Sequence, residues 1–229
     1  SDHVGVHRQK DGRYFVGAAP TVGRVSGSIL TRLADIMASA GSDRLRFTPH
    51  QKLLLLDIPE QQVDAVVEAL EPLGLTATPS PFRRSTMACT GIEFCKLAIV
   101  ETKATAAQTI TELENRLADL ADSIPPLSLH VNGCPNSCAR IQTADIGLKG
   151  QIITVDGEQV PGFQVHLGGG LASADRSEPE LGRTVRGVKV SAAALPDYVE
   201  RIVRTYAEQR GPGETFATWA HRAEERVLT

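Results

Sequence analysis

Aromatic residues are scarce in this chain: six Phe, three Tyr and one Trp among 229 residues, or 4%. A stacking platform for single-stranded nucleic acid needs aromatics set among basic side chains. Nor do basic residues outnumber acidic ones, since 24 Lys and Arg face 27 Asp and Glu and the net charge is −3. The overall field therefore does not favour nucleic acid. No apolar run approaches the roughly 20 residues of a membrane span. The opening Ser1-Asp-His-Val-Gly-Val-His7 lacks the features of a signal or transit peptide. There is no internal repeat and no low-complexity tract. What is left is an ordinary globular composition, 41% hydrophobic and 22% charged. A cytoplasmic home is expected, with no membrane and no nucleic-acid partner. The chain opens in what reads as mid-fold, so a fragment of something longer is expected.

Cysteine is also sparse, but its placement is informative. All four lie between Cys89 and Cys138, in the pattern C-x5-C-x38-C-x3-C. Each close pair sits in a turn-rich stretch: Cys89-Thr-Gly-Ile-Glu-Phe-Cys95 and Cys134-Pro-Asn-Ser-Cys138. Four thiolates in two pairs suit a soft metal centre. Three readings compete. Two disulfides would fit an oxidising compartment, for which nothing else in the sequence argues. A structural zinc prefers knuckles of two to four intervening residues, and the first loop here is wider. An iron–sulfur cluster, bulkier than one ion, suits thiolates spread over two separated loops.

Periodicity gives an α+β organisation. Residues 1–11 read as polar, and Arg13–Ala19 as a strand. Ser26 can cap a helix carrying Ile29, Leu30, Leu33, Ile36 and Met37, which Gly41 ends. Leu45–Thr48 and Lys52–Asp57 read as strands around a Pro49-His-Gln51 turn. Pro59-Glu60 opens a second helix with Val63, Val66, Val67 and Leu70 on one face. This β-α-β-β-α order is most of a ferredoxin-like sandwich. The Thr76–Pro81 stretch reads as a linker or a switch of layer, dividing the chain into 1–78 and 79–229. Beyond it, the pattern predicts a helix over Ala106–Leu120, a strand over Leu127–Val131 and a short helical turn after Cys138. Ala144–Lys149 and Gln151–Val155 read as a strand pair, and Pro161–Leu167 as a further strand. Residues 172–182 read as a polar loop. A helix carries Leu195, Tyr198, Val199, Ile202, Val203 and Tyr206, and an amphipathic helix spans Phe216–Val227.

Several tracts together resemble the assimilatory nitrite and sulfite reductases: Met87–Cys95, Ala98-Ile-Val-Glu-Thr-Lys103, Asn132–Cys138, Ala144-Asp-Ile-Gly147 and His166-Leu-Gly-Gly169. Within that family, Val131–Gln142 is most similar to the ferredoxin-dependent sulfite reductases of actinobacteria. The resemblance implies a ferredoxin-like half domain followed by a larger α/β domain that binds a [4Fe–4S] cluster and siroheme. It covers only the second of the family's two pseudo-symmetric halves. It implies six-electron reduction of sulfite to sulfide, with ferredoxin as electron donor and the N-terminal half of the enzyme as partner. The small anion substrate, sulfite or nitrite, would be gripped mostly by Arg and Lys of that other half, so no catalytic residue is assigned here.

The resemblance also implies roles for residues of this chain. Cys89, Cys95, Cys134 and Cys138 would hold the cluster, with Cys138 shared with the siroheme iron. Gly91 and Gly133 would let backbone N–H groups face cluster sulfur, and Asn136 would contact the macrocycle. Arg46-Phe-Thr48-Pro-His-Gln51 resembles the family's Arg-x-Thr-x-x-Gln turn, making Thr48 and Gln51 candidate siroheme donors. Arg83 and Arg84 could meet siroheme carboxylates. Lys103 reads as a solvated or salt-bridged side chain. His7, His50, His130, His166 and His221 form no spaced metal pair, and His130 and His166 read as core histidines. Gly168-Gly-Gly170 lacks the following Lys and Ser or Thr of a phosphate loop. Nitrite reductase is the nearest alternative activity, a cobalamin-pathway oxygenase shares the motif, and a heme-free iron–sulfur or zinc module is the alternative of another class.

Overall fold

The computed structural model describes residues 2–172 and 179–229. Most of the polar loop expected at 172–182 lies outside the described residues. The chain forms two compact units, Ser1–Arg84 and Ser85–Thr229.

The first unit carries β1 (Gly5–Arg8), β2 (Tyr14–Pro20), α1 (Gly27–Ser39), β3 (Leu45–Phe47), β4 (Leu53–Ile58), α2 (Val63–Leu70), β5 (Leu75–Thr76) and most of α3 (Pro81–Ser85). Ser26 caps α1, its Oγ accepting from the Ile29 N–H at 3.2 Å. The sheet order is β1-β2-β4-β3, and β5 pairs with β2 beyond the end of β1. All these pairings are antiparallel. Elements β2 to β5 give the β-α-β-β-α-β order of a ferredoxin-like sandwich. Alternation sends Val16, Ala18, Leu53 and Leu55 to one face, where they meet Leu33 and Met37 of α1 and Val66 and Leu70 of α2. One strand goes beyond the sequence expectation: Gly5–Arg8, within the tract read only as polar, pairs with Tyr14–Gly17. In the 76–81 stretch, β5 closes the sheet and α3 starts at Pro81.

The second unit holds β6 (Thr86–Ala88), α4 (Lys103–Arg116), β7 (Leu129–Asn132), β8 (Ile146–Val155), β9 (Glu158–Leu167), β10 (Arg183–Ser191), α5 (Leu195–Gln209), α6 (Phe216–Arg222) and α7 (Glu225–Leu228). Its sheet runs β10-β9-β8-β7-β6. β6, β7 and β8 are parallel, and β8, β9 and β10 are antiparallel. Leu129, Val131, Ile146, Leu148, Val165 and Leu167 fall on one face and are buried. Ile110 and Leu113 of α4 and Val199, Ile202 and Tyr206 of α5 are buried with them. Tyr206, Phe216 and Trp219 form a ring cluster with centroids 5.3, 5.4 and 5.5 Å apart. The alternate positions His130, Asn132, Lys149, Gln164 and His166 make the other face polar.

Three expectations are corrected in this unit. Ala144–Lys149 and Gln151–Val155 are not a hairpin but one strand, β8, whose turn comes later at Asp156-Gly157, both with positive φ. β10 goes unseen in the sequence because a bulge between Thr184 and Lys189 breaks its alternation. The helix expected over Phe216–Val227 divides into α6 and α7, with Ala223 extended at φ −64° and ψ 141°.

Candidate functional site

β6 and β7 are adjacent and parallel, and each hands its C-terminal end to a cysteine loop. Cys89 follows β6 and donates its backbone N–H to the Val131 carbonyl at 3.0 Å, extending the ladder by one bond. The first loop turns at Gly91, with φ +69°, and the Cys95 N–H closes it on the Gly91 carbonyl at 3.0 Å. A side chain at Gly91 is excluded twice over, by the left-handed backbone and by Thr102 Oγ1, which an added Cβ would approach to 2.5 Å. The loops then interlock. The Ile99 N–H donates to the Gly133 carbonyl at 2.7 Å, and the Gly133 N–H donates to Cys89 Sγ at 3.2 Å. This last contact is the kind of amide-to-sulfur bond that stabilises negative charge on a thiolate.

Asn132 fixes the second loop. It is fully buried at the end of β7. Its Nδ2 donates to the Cys134 carbonyl at 2.9 Å and its Oδ1 accepts from the Ala139 N–H at 2.8 Å. One side chain thus spans the segment from Cys134 to Cys138. The sequence reading named Asn136, which stands exposed in the loop, and passed over Asn132. The available signal was a polar residue closing an apolar strand directly before a cysteine turn. All four thiols are free, Cys134 buried, Cys89 and Cys95 half-buried and Cys138 exposed.

The remaining candidates sit in the first unit. Thr48 opens the β3–β4 turn. Its Oγ1 accepts from the backbone N–H of His50 and of Lys52, both at 3.2 Å, so the hydroxyl organises the turn as an acceptor. Gln51 has φ 58° within it. Arg83 donates to Thr21 Oγ1. Arg84 is bound to Asp2 through Nε and Nη2, at 2.6 and 2.7 Å. In the second unit, Lys103 Nζ donates to the Ala88 carbonyl at 3.3 Å. Asp145 and Glu101 have structural roles: Asp145 Oδ2 accepts from Ser128, and Glu101 Oε1 accepts from the Ala104 N–H at 3.2 Å.

Lys52 was not singled out from the sequence. It is 1% exposed, and its Nζ has no hydrogen-bond partner among the described residues. Burial pulls its pKa from 10.5 down to about 8; the Asp2 carboxylate pushes it up and Arg84 pushes it down. On the polar face of the second sheet, His166 Nδ1 meets Thr184 Oγ1 at 3.1 Å, while Nε2 is buried without a partner, as is Nε2 of Gln151. Burial, then the charge of Lys149, lower the His166 pKa.

An iron–sulfur cluster and an anionic tetrapyrrole make different demands on these residues. Four free thiols on two interlocked loops, one already receiving an amide hydrogen bond, are a donor set suited to a cluster. Among the described residues, no three His, Cys, Asp or Glu side chains are gathered closely enough to hold a single metal ion. A cubane does not need such a gathering, since each thiolate takes its own iron corner. Within the second unit, the buried donors of Gln151 and His166 are of the type a polycarboxylate ligand would satisfy.

A ferredoxin-like unit followed by a mixed sheet with cysteine loops at parallel strand ends defines a redox module, and the comparisons name its class. Residues 7–73 match the nitrite/sulfite reductase ferredoxin-like half domain, and residues 80–226 match the nitrite and sulphite reductase 4Fe-4S domain. The chain belongs to the nitrite/sulfite reductase family. The family's cofactors are a [4Fe–4S] cluster and siroheme, and the donors described above fit both. The chain is similar to sulfite reductase [ferredoxin] 1 of Mycolicibacterium paratuberculosis, 54% identical over 99% of this chain and 40% of the relative. The Mycobacterium tuberculosis sulfite reductase [ferredoxin] is 53% identical over the same shares. The assimilatory ferredoxin-dependent nitrite reductase of Haloferax mediterranei is 38% identical over 96% of this chain and 36% of its own length. Among solved structures, the M. tuberculosis NirA protein matches with a TM-score of 0.95 and 52% identity, covering all of this chain and 42% of that one. The chain therefore spans about 40% of the length of the curated relatives it matches.

Proposed function

We propose that this chain is the cluster-bearing half of a ferredoxin-dependent sulfite reductase. In this reading Cys89, Cys95, Cys134 and Cys138 hold the cluster, and Cys138, the exposed member of the four, is shared with siroheme. Thr48, Gln51, Arg83, Arg84 and Asn136 face the macrocycle or its carboxylates, and Lys52 adds a buried ammonium to that set. When bound, the cluster and siroheme supply the one-electron steps of a six-electron reduction. The protein's part is to fix the thiolates, donate to sulfur and balance the carboxylates. The functional domains are residues 1–78 and 79–229, working in the cytoplasm beside an N-terminal half of the kind the relatives possess. That other half contributes most of the cations that bind the anion.

The observation that carries the reading is the pair of interlocked cysteine loops within a chain 53–55% identical to sulfite reductases. Nitrite reductases in the same family are 37–39% identical, which favours sulfite. The test joins this chain to the N-terminal portion of the M. tuberculosis relative, loads siroheme and iron–sulfur anaerobically, and supplies reduced ferredoxin. Sulfide formation from sulfite, at a higher kcat/KM than ammonia formation from nitrite, is the expected result. A strong preference for nitrite would overturn the choice of substrate. Turnover of neither anion would overturn the enzyme reading.

A further inference from the structure

Thr102 occupies the N-cap of α4, the position where a threonine hydroxyl ordinarily accepts a hydrogen bond from the first turn of the helix. Here it makes no such bond. The hydroxyl points the other way and donates to the backbone carbonyl of Cys89 at 2.7 Å. The same oxygen lies 3.9 Å from Cys89 Sγ. The capping duty has passed to Glu101, which takes the Ala104 N–H. Thr102 is fully buried, and its contacts reach both cysteine loops. Its Oγ1 occupies the space an added Gly91 Cβ would need, and its Cγ2 lies 3.2 Å from where a Gly133 Cβ would stand. Gly133 is the residue whose N–H donates to Cys89 Sγ.

We propose that Thr102 is a positioning residue for the Cys89 thiolate. Its hydroxyl holds the Cys89 carbonyl, and its methyl holds Gly133 so that the Gly133 N–H stays on the sulfur. One side chain thereby sets both the direction of the first thiolate and the hydrogen bond that tunes it. The inference rests on the reading of Cys89 as a cluster ligand. It adds a determinant of how firmly the cluster is kept and at what potential. Buried partners behind a metal ligand have this effect generally, and their loss weakens metal retention by roughly 10- to 100-fold.

The experiment reconstitutes the full chain anaerobically with ferrous iron and sulfide. It compares wild type with Thr102→Ser, Thr102→Val and Thr102→Ala. The readouts are iron and labile sulfide per chain, the reduced-cluster EPR signal, its midpoint potential and the rate of iron loss to a chelator. Thr102→Ser, which keeps the hydroxyl but loses the methyl that packs on Gly133, should fall between wild type and Thr102→Ala. Thr102→Val, similar in volume without the hydroxyl, should shift the potential and lose iron at least roughly tenfold faster. Thr102→Ala tests the same loss should the valine variant fail to fold. A valine or alanine variant with wild-type potential, EPR signal and chelator rate would overturn the proposal. So would Thr102→Asn, a good helix cap, restoring wild-type behaviour, because the role would then be helix capping. Failure of the wild-type chain to take up iron would instead count against the cluster reading itself.

Discussion

Lys52 is a buried ammonium directly following the turn built by Thr48 and Gln51. Its pKa of about 8 in the folded chain lies below the ordinary 10.5, so between these values the unfolded chain binds more protons than the folded one. Stability therefore rises with pH through that window, and below about pH 8 the full cost of burying the charge is present. Integrated over the shift, that cost is about 2–4 kcal/mol. Urea unfolding of the cofactor-free chain should show a midpoint that climbs from pH 8 to pH 10. Lys52→Met should raise the midpoint at pH 7 and flatten the climb. A midpoint independent of pH in the wild type would contradict the assignment. A carboxylate ligand beside Nζ would reverse the effect, favouring the charged form. Asn132 makes the opposite case: a neutral side chain whose two polar atoms both answer the backbone. Asn132→Leu leaves the Cys134 carbonyl and the Ala139 N–H unsatisfied and should cost about 2–4 kcal/mol, measured by the same unfolding.

Much of this chain's local structure was legible because single elements obey simple periods. The capped α1, the β3–β4 hairpin and α2 followed from spacing, Ser26 and the Gly stops. The errors have a common cause in residues that serve a tertiary contact instead of a local one. Gly150 separates two apolar runs and so reads as a turn. It lies within β8, where an added Cβ would stand 2.6 Å from Val100 Cγ2, 2.7 Å from the Gly133 carbonyl carbon and 2.8 Å from the Asn132 oxygen. The glycine is there to let the second cysteine loop approach. Gly150→Ala should accordingly loosen that loop, with protection of the Gly133 and Cys134 amides falling in hydrogen exchange while the β8–β9 hairpin stays protected. Equal loss of protection along β8 would show that the strand itself had failed. β10 escaped detection for a related reason. Val185 and Val188 are both buried though three residues apart, because Gln164 Nε2 fills the bulge between them, donating to both carbonyls at 2.9 and 3.0 Å. Nothing in a strand's own alternation announces a bulge satisfied from the next strand.

At the scale of the molecule, the cysteine spacing and the flanking tracts carried the family, while the direct supports of the site were less legible. Thr102 acts through backbone groups and no spacing rule marks it, and Asn132 is marked only as a polar residue closing an apolar strand before a cysteine turn. The molecule also bears well-exposed apolar side chains. Ile92, Phe94, Leu97 and Ile99, around Cys95, are 55, 74, 66 and 40% exposed, and in the first unit Phe47 is 71% exposed. Apolar side chains presented so fully mark surfaces that associate. The isolated chain should self-associate in sedimentation velocity, and Phe94→Ser with Leu97→Ser should reduce it. An unmodified chain that stays monomeric at high concentration would contradict this. Whether the two loops hold a [4Fe–4S] cluster is read most directly from iron and labile sulfide per chain after anaerobic reconstitution. About four of each are expected, with a broad visible absorption that reduction bleaches. One zinc per chain with no iron, or two disulfides that block uptake of either, would contradict the cluster.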